Sequence, residues 1–157
     1  MTRIREVVSM MVVCAVAALL FTPPAATQIR EVSVGKGHRL VLQVNTDEPA
    51  MMNLALNNAA NVEQYYRDLG EKVEIEIVAF GPGLHMLRDD TSPVKARIKA
   101  LADKSPSISF KACGNTQENM SKAENKKIAL VAQASVVKSG VVRVMELQEQ
   151  GWAYVRP

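Results

Sequence analysis

The apolar positions of this chain change period several times. Residues 38–46, HRLVLQVNT, contain Leu-Val-Leu-Gln-Val, which predicts a strand covered on both faces. Residues 47–70 then switch to helical spacing. Asp47 and Glu48 supply negative charge where a helix begins, and Pro49 suits a first turn. Met51, Leu54, Ala55, Val62, Tyr66 and Leu69 recur at three- and four-residue steps as the buried stripe, and Gly70 stops the helix. Asn53, Asn57, Asn61, Gln64 and Asp68 mark the solvated side, with Asn53 and Asn57 also available as contacts between subunits. Residues 72–80, KVEIEIVAF, are β-branched, and Glu74 and Glu76 alternate with Val73, Ile75 and Ile77, so one face of the first half should be wet. A tight Gly81-Pro82-Gly83 loop and a short helical turn, LHMLRD, follow.

Residues 91–104 predict a second helix, with Ser92 as cap, Pro93 in the first position, and Val94, Ile98 and Leu101 buried. SISFKA, residues 107–112, is a third strand. NTQENMSKAENKK is helical or irregular, and Ser121 with Glu124 has the spacing of a capping box. A fourth strand lies within 132–138. Ser139 caps a last helix, GVVRVMELQEQ, which Gly151 ends, and WAYVR forms the final strand. Alternation of strand and helix argues for a parallel sheet with helices on both faces, because each parallel return needs a crossover. In such sheets function gathers at the carboxyl ends of the strands.

The first residues follow another logic. Arg3 and Arg5 precede residues 7–21, which are almost wholly apolar, and TPPAATQ then offers small residues for cleavage. This is the layout of a secretory signal peptide, residues 1–26, followed by a linker, 27–37, and one domain, 38–157. A membrane anchor is the competing reading, but a spanning helix wants about 20 apolar residues and Pro23-Pro24 cuts this run short. The expected location is periplasmic or secreted, with membrane contact only through the signal peptide. Beyond residue 26 the chain keeps 17 basic and 15 acidic side chains, dispersed, which gives no nucleic-acid footprint. Cleavage also removes Cys14 and leaves Cys113 alone. An unpaired cysteine in an exported protein is a partner in intermolecular pairing, an inert buried thiol or a reactive one.

Five stretches carry a resemblance: LQVNTDEPAMMNLALNNAANV, VEIEIVAFGPGLHML, SPVKARIKALA, FKACGNT and GVVRVMELQEQGWAYVRP. In this order, from about residue 39 to 157, the chain resembles the DsrE/DsrF-like family. The resemblance implies a three-layer α/β/α sandwich with a five-stranded parallel sheet, assembled as a homotrimer or hexamer. It also implies sulfur relay through a persulfide on the cysteine that follows the third strand, the position of Cys113. Donor and acceptor thiol proteins would be the partners. The sulfur-relay members are cytoplasmic, whereas this chain carries an export signal.

Cys113 and Gly114 end the third strand. If the next segment is helical, the N–H groups of Asn115, Thr116 and Gln117 point toward the sulfur and favour a thiolate, the nucleophile that attacks sulfane sulfur. Lys111 is near in sequence. Gly81 and Gly83 could let backbone amides approach an anion, Asn45 at the end of the first strand could donate to a bound anion or persulfide, and Asp47 serves the helix start. The switch-point rule sets Asn45 near Cys113 and Gly81. His38 and His85 have no neighbours at metal-ligand spacing, so no metal and no cofactor is expected. His85 reads as a surface residue. Two functions follow: a sulfur carrier or sulfurtransferase-like protein holding a persulfide on Cys113, or a non-catalytic oligomer that binds a small anion or nucleotide at the strand ends. A purely structural homo-oligomer is a third.

Overall fold

The computed structural model describes residues 37–157. The expected signal peptide, Cys14 and all of the linker but Gly37 lie outside these residues. The order is β1 (His38–Val44), α1 (Pro49–Asp68), β2 (Val73–Ala79), a 3-10 helix (Gly81–Leu87), α2 (Lys95–Lys104), β3 (Ile108–Cys113), α3 (Gly114–Ala123), β4 (Ala134–Val137), α4 (Gly140–Glu149) and β5 (Ala153–Val155). The strands form one parallel sheet in the order β4-β3-β2-β1-β5. This is a three-layer α/β/α fold, as the alternation predicts. Residues 114–123, open in the sequence between helix and irregular chain, are helical.

The two faces of the sheet differ in weight. On one face Leu40, Leu42 and Val44, with Ile75, Ile77 and Phe110, pack under Met52, Leu56, Ile98 and the 3-10 residues Leu84, Met86 and Leu87. On the other, Val41 and Val78 meet Val144 and Leu147 of α4, flanked by Phe80 and Trp152.

Several expectations change. The buried stripe of α1 is Met52, Ala55, Leu56 and Ala59, while Leu54 is 41% and Leu69 55% exposed. The helix is turned so that its alanines face the sheet, where their small size permits close approach; Val62 and Tyr66 remain half-buried. Asn53 and Asn57 are occupied within the chain, both accepting hydrogen bonds from Arg97 of α2. Glu76 is not wet: it is 4% exposed and chelates Arg143 of α4 through two hydrogen bonds of 2.7 Å, while Glu74 does face water. Ser121 and Glu124 form no capping box, because they stand at the end of α3 and not its start. Ser121 Oγ accepts from the Ile128 N–H, and Glu124 pairs with Arg88. Ser92 precedes α2, where it donates to the Met86 carbonyl and accepts from the Val94 N–H.

Arg88, 1% exposed, leaves the 3-10 helix and pairs with both Asp90 and Glu124, and Lys126 adds a second cation to the same carboxylates. The guanidinium fork fixes the end of α3 to the chain after the 3-10 helix. Arg88 first, then Lys126, hold the Glu124 carboxyl down to about 2 and push Asp90 lower still. A carboxylate whose folded pKa lies below its unfolded value stabilises fully above the unfolded value and loses that contribution as pH falls through the folded one. The urea midpoint is therefore expected to fall between about pH 4.5 and 2. Arg88→Leu should lower the midpoint at neutral pH and flatten the acid dependence. An acid profile for Arg88→Leu parallel to the wild type's would contradict this.

Candidate functional site

β3 ends on Cys113, and α3 begins at the next residue, so Cys113 occupies the helix N-cap position in extended conformation. Gly114 allows this abrupt turn. A Cβ there would lie 3.1 Å from Val136 Cγ1 and 3.2 Å from the Val137 carbonyl oxygen, so the glycine fits α3 against β4. β4 runs beside β3 with Cys113 opposite Val137, and only Lys138 and Ser139 separate β4 from α4. The starts of two ten-residue helices thus converge beside one sulfur.

Cys113 is 5% exposed. As a thiol it closes no N-cap hydrogen bond of its own. Burial pushes it up. Against that, the Thr116 hydroxyl, then the Gly140, Thr116 and Asn115 amides, pull it down, and the balance falls below the ordinary thiol value. The hydroxyl is well placed for this work. Thr116 Oγ1 accepts from the Gly81 N–H at 3.0 Å, which leaves its proton to be donated to sulfur. The Asn115 amide is shared with the Lys138 carbonyl, 3.1 Å away. Lys111 gives its ammonium to Ser135 at 3.0 Å.

Of the residues expected at the site, Cys113, Gly114, Asn115, Thr116 and Gly81 come together. Asn45 and Gly83 do not. β2 stands between β1 and β3, so Asn45 lines a separate hollow of about 30 Å³ with Thr46, Arg156 and Pro157. The strand order reverses between β1 and β5, so the topological switch point lies at that hollow, two strands from Cys113. Gly83 binds the protein and not an anion. Its N–H donates to the Phe80 carbonyl, and a Cβ would sit 2.2 Å from the Val44 carbonyl oxygen, so the glycine lets the 3-10 helix lie against the end of β1. The Gly81 N–H is spent on Thr116, and φ of +54° suits a glycine there. His85 is bonded to Thr91. No group of three or more His, Cys, Asp or Glu among the described residues could hold a metal ion.

Gly140 is the site residue that sequence reasoning missed. It is buried, and a Cβ would stand 2.8 Å from Phe80 Cδ1, so its absence lets α4 start flush against the end of β2. The signal was available: a glycine after a serine cap, at the start of a helix that follows the strand next to the cysteine. An open cleft of about 590 Å³ adjoins the site, lined by Asn115, Val137, Lys138, Ser139 and Arg143 among others. Cys113, paired in register with Val137, is not itself among the lining residues.

The fold and site define an α/β protein whose one cysteine among the described residues sits at paired helix starts. No family model and no curated protein matches the chain. A solved structure does: a protein of unknown function, MTH1491, from Methanobacterium thermoautotrophicum, 30% identical with a TM-score of 0.64, the match covering 76% of this chain and 99% of that one. The chain belongs to the same family as MTH1491.

Thr116→Val removes the hydroxyl dipole, raises the Cys113 pKa and slows alkylation of Cys113 near pH 7 about three- to tenfold. A hydrogen bond to a charged group is worth about 1.5–3 kcal/mol, and the higher intrinsic nucleophilicity of a more basic thiolate offsets part of the loss. Thr116→Ser should react at the wild-type rate. Equal rates for all three proteins would remove Thr116 from the site.

Proposed function

We propose that this protein carries sulfane sulfur on Cys113 and passes it to another thiol. The observation that carries the reading is the convergence of the starts of α3 and α4 beside Cys113, with Thr116 in the first turn of α3; the Thr116 hydroxyl and the amides there pull the thiol down against burial. The resemblance to the DsrE/DsrF-like family supports it independently. In the loading step the Cys113 thiolate attacks the outer sulfur of a donor persulfide. The new S–S bond forms on Cys113 as the donor S–S bond breaks, and the donor leaves as its thiolate. Delivery repeats the exchange in the other direction: an acceptor thiolate takes the outer sulfur, and Cys113 is the leaving thiolate. The amides that favour the thiolate also make it a better leaving group. A chain with one cysteine after export has no internal thiol to collapse the persulfide into a disulfide.

The anion- or nucleotide-binding alternative draws less from the geometry, because the Gly81 and Gly83 N–H groups already have partners within the protein. Self-association, as a trimer or hexamer, is part of the proposal. Val141, Val142 and Met145 leave an apolar flank of α4 exposed, which supports it.

The test is polysulfide treatment of the native protein, read by mass on the peptide containing Cys113. One added sulfur is expected, lost on reduction and absent in Cys113→Ser. No uptake under conditions that load a free cysteine peptide would overturn the proposal. Light scattering on the same sample tests the assembly, and a monomer overturns that part.

A further inference from the structure

The α4 side of the sheet is held by few apolar contacts. Its buried core is Val41, Val78, Val144 and Leu147, with Phe80 and Trp152 at the margins. Such contacts attract without direction, so they keep a helix on a sheet but do not fix its rotation or its position along its axis. Glu76 and Arg143 supply direction. Arg143 Nε and Nη2 donate to Glu76 Oε1 and Oε2, each at 2.7 Å, in the planar fork-to-carboxylate form. Glu76 is the buried acid of β2, and its neighbours on the same side, Val78 and Phe80, touch α4 as well. β2 therefore seats α4 at three heights: Glu76 on Arg143, Val78 among Val144 and Leu147, and Phe80 on Gly140. Arg143 is three residues beyond Gly140, about one turn of helix. A helix gripped there cannot turn or slide without moving the Gly140 amide.

We propose that Glu76 and Arg143 are positioning residues for Cys113: their ion pair sets α4 on the sheet so that the Gly140 N–H is aimed at the sulfur. This rests on the reading of Cys113 as the reacting thiol. Glu76 is buried and acts only through Arg143, and Arg143, which also lines the cleft beside the site, acts on the sulfur through the start of α4. Direct charge effects would look different. Loss of the Glu76 charge alone favours a nearby thiolate, and loss of the Arg143 charge disfavours it. Loss of alignment disfavours the thiolate in both cases. The other charged groups around this end of the sheet are Lys111 on β3, bonded to Ser135, Lys138 before α4, and Glu146, 4.0 Å from Arg143. They are unchanged in the variants below.

The experiment follows the rate of iodoacetamide alkylation against pH in the full chain, read on the peptide containing Cys113. Wild type is compared with Glu76→Gln and Arg143→Lys. Arg143→Lys keeps the charge and removes the fork, so it is the milder change and serves if Glu76→Gln fails to fold. The expected result is a midpoint moved to higher pH in both variants, with reaction near pH 7 slowed about threefold or more. Arg143→Lys reacting with the wild-type profile overturns the proposal, as does faster reaction of folded Glu76→Gln, the direct-charge result. Failure of the underlying reading is separate and appears in the wild type alone, as a Cys113 midpoint at or above that of an ordinary thiol.

Discussion

A parallel sheet sends every strand in the same direction, so the strand carboxyl ends and the helix starts that follow them collect at one edge of the molecule. Every feature of the site depends on this constraint. Cys113 is the last residue of β3 and the cap of α3, while β4 lies next to β3 and passes into α4 after two residues. Two helix starts, each equivalent to roughly half a positive charge, are brought to the sulfur by topology, with no basic side chain spent on the task. The cost is burial, which works against the thiolate. The Thr116 hydroxyl and the amides outweigh it.

The close approach is made by glycines and fixed by ion pairs. Gly83 lets the 3-10 helix meet β1, Gly114 lets α3 meet β4, and Gly140 lets α4 meet Phe80. At each of the three a side chain would hold the elements apart; overpacking of this kind typically costs about 1–3 kcal/mol. Arg88 then ties the far end of α3 to the chain beyond the 3-10 helix, and Glu76 ties α4 to β2. The heavier core, under α1, α2 and the 3-10 helix, carries most of the buried apolar surface. The lighter α4 side borders Cys113, where a small displacement would change the thiol's surroundings.

Most of the fold was legible in the sequence because strand and helix differ in period and the chain punctuates them with Pro49, Gly70 and Gly151. Cys113 was legible for the same reason: it ends an apolar strand and precedes a glycine. The phase of α1 was legible only in part: Ala55 was read as buried, but Ala59 is buried by fit, and larger neighbours such as Leu54 and Leu69 outweigh it in any apolar pattern. Glu76 was misread because its partner is 67 residues away. A warning was present: a central strand of a parallel sheet is covered on both faces, so an acid among Ile75, Ile77 and Val78 needs a cation. Asn45 was misplaced because strand order, not strand sequence, decides which ends are adjacent, and Gly83 because its loop folds back onto the end of β1.

The central claim is that peptide and hydroxyl dipoles hold the Cys113 thiol below its ordinary pKa despite burial. Titration of the Cys113 Cβ chemical shift in the intact protein tests it most directly, because it reports one residue and needs no reagent to reach the sulfur. The account predicts a midpoint below that of an unperturbed cysteine, about 8.5. A midpoint at or above that value would mean that burial wins, and would contradict it.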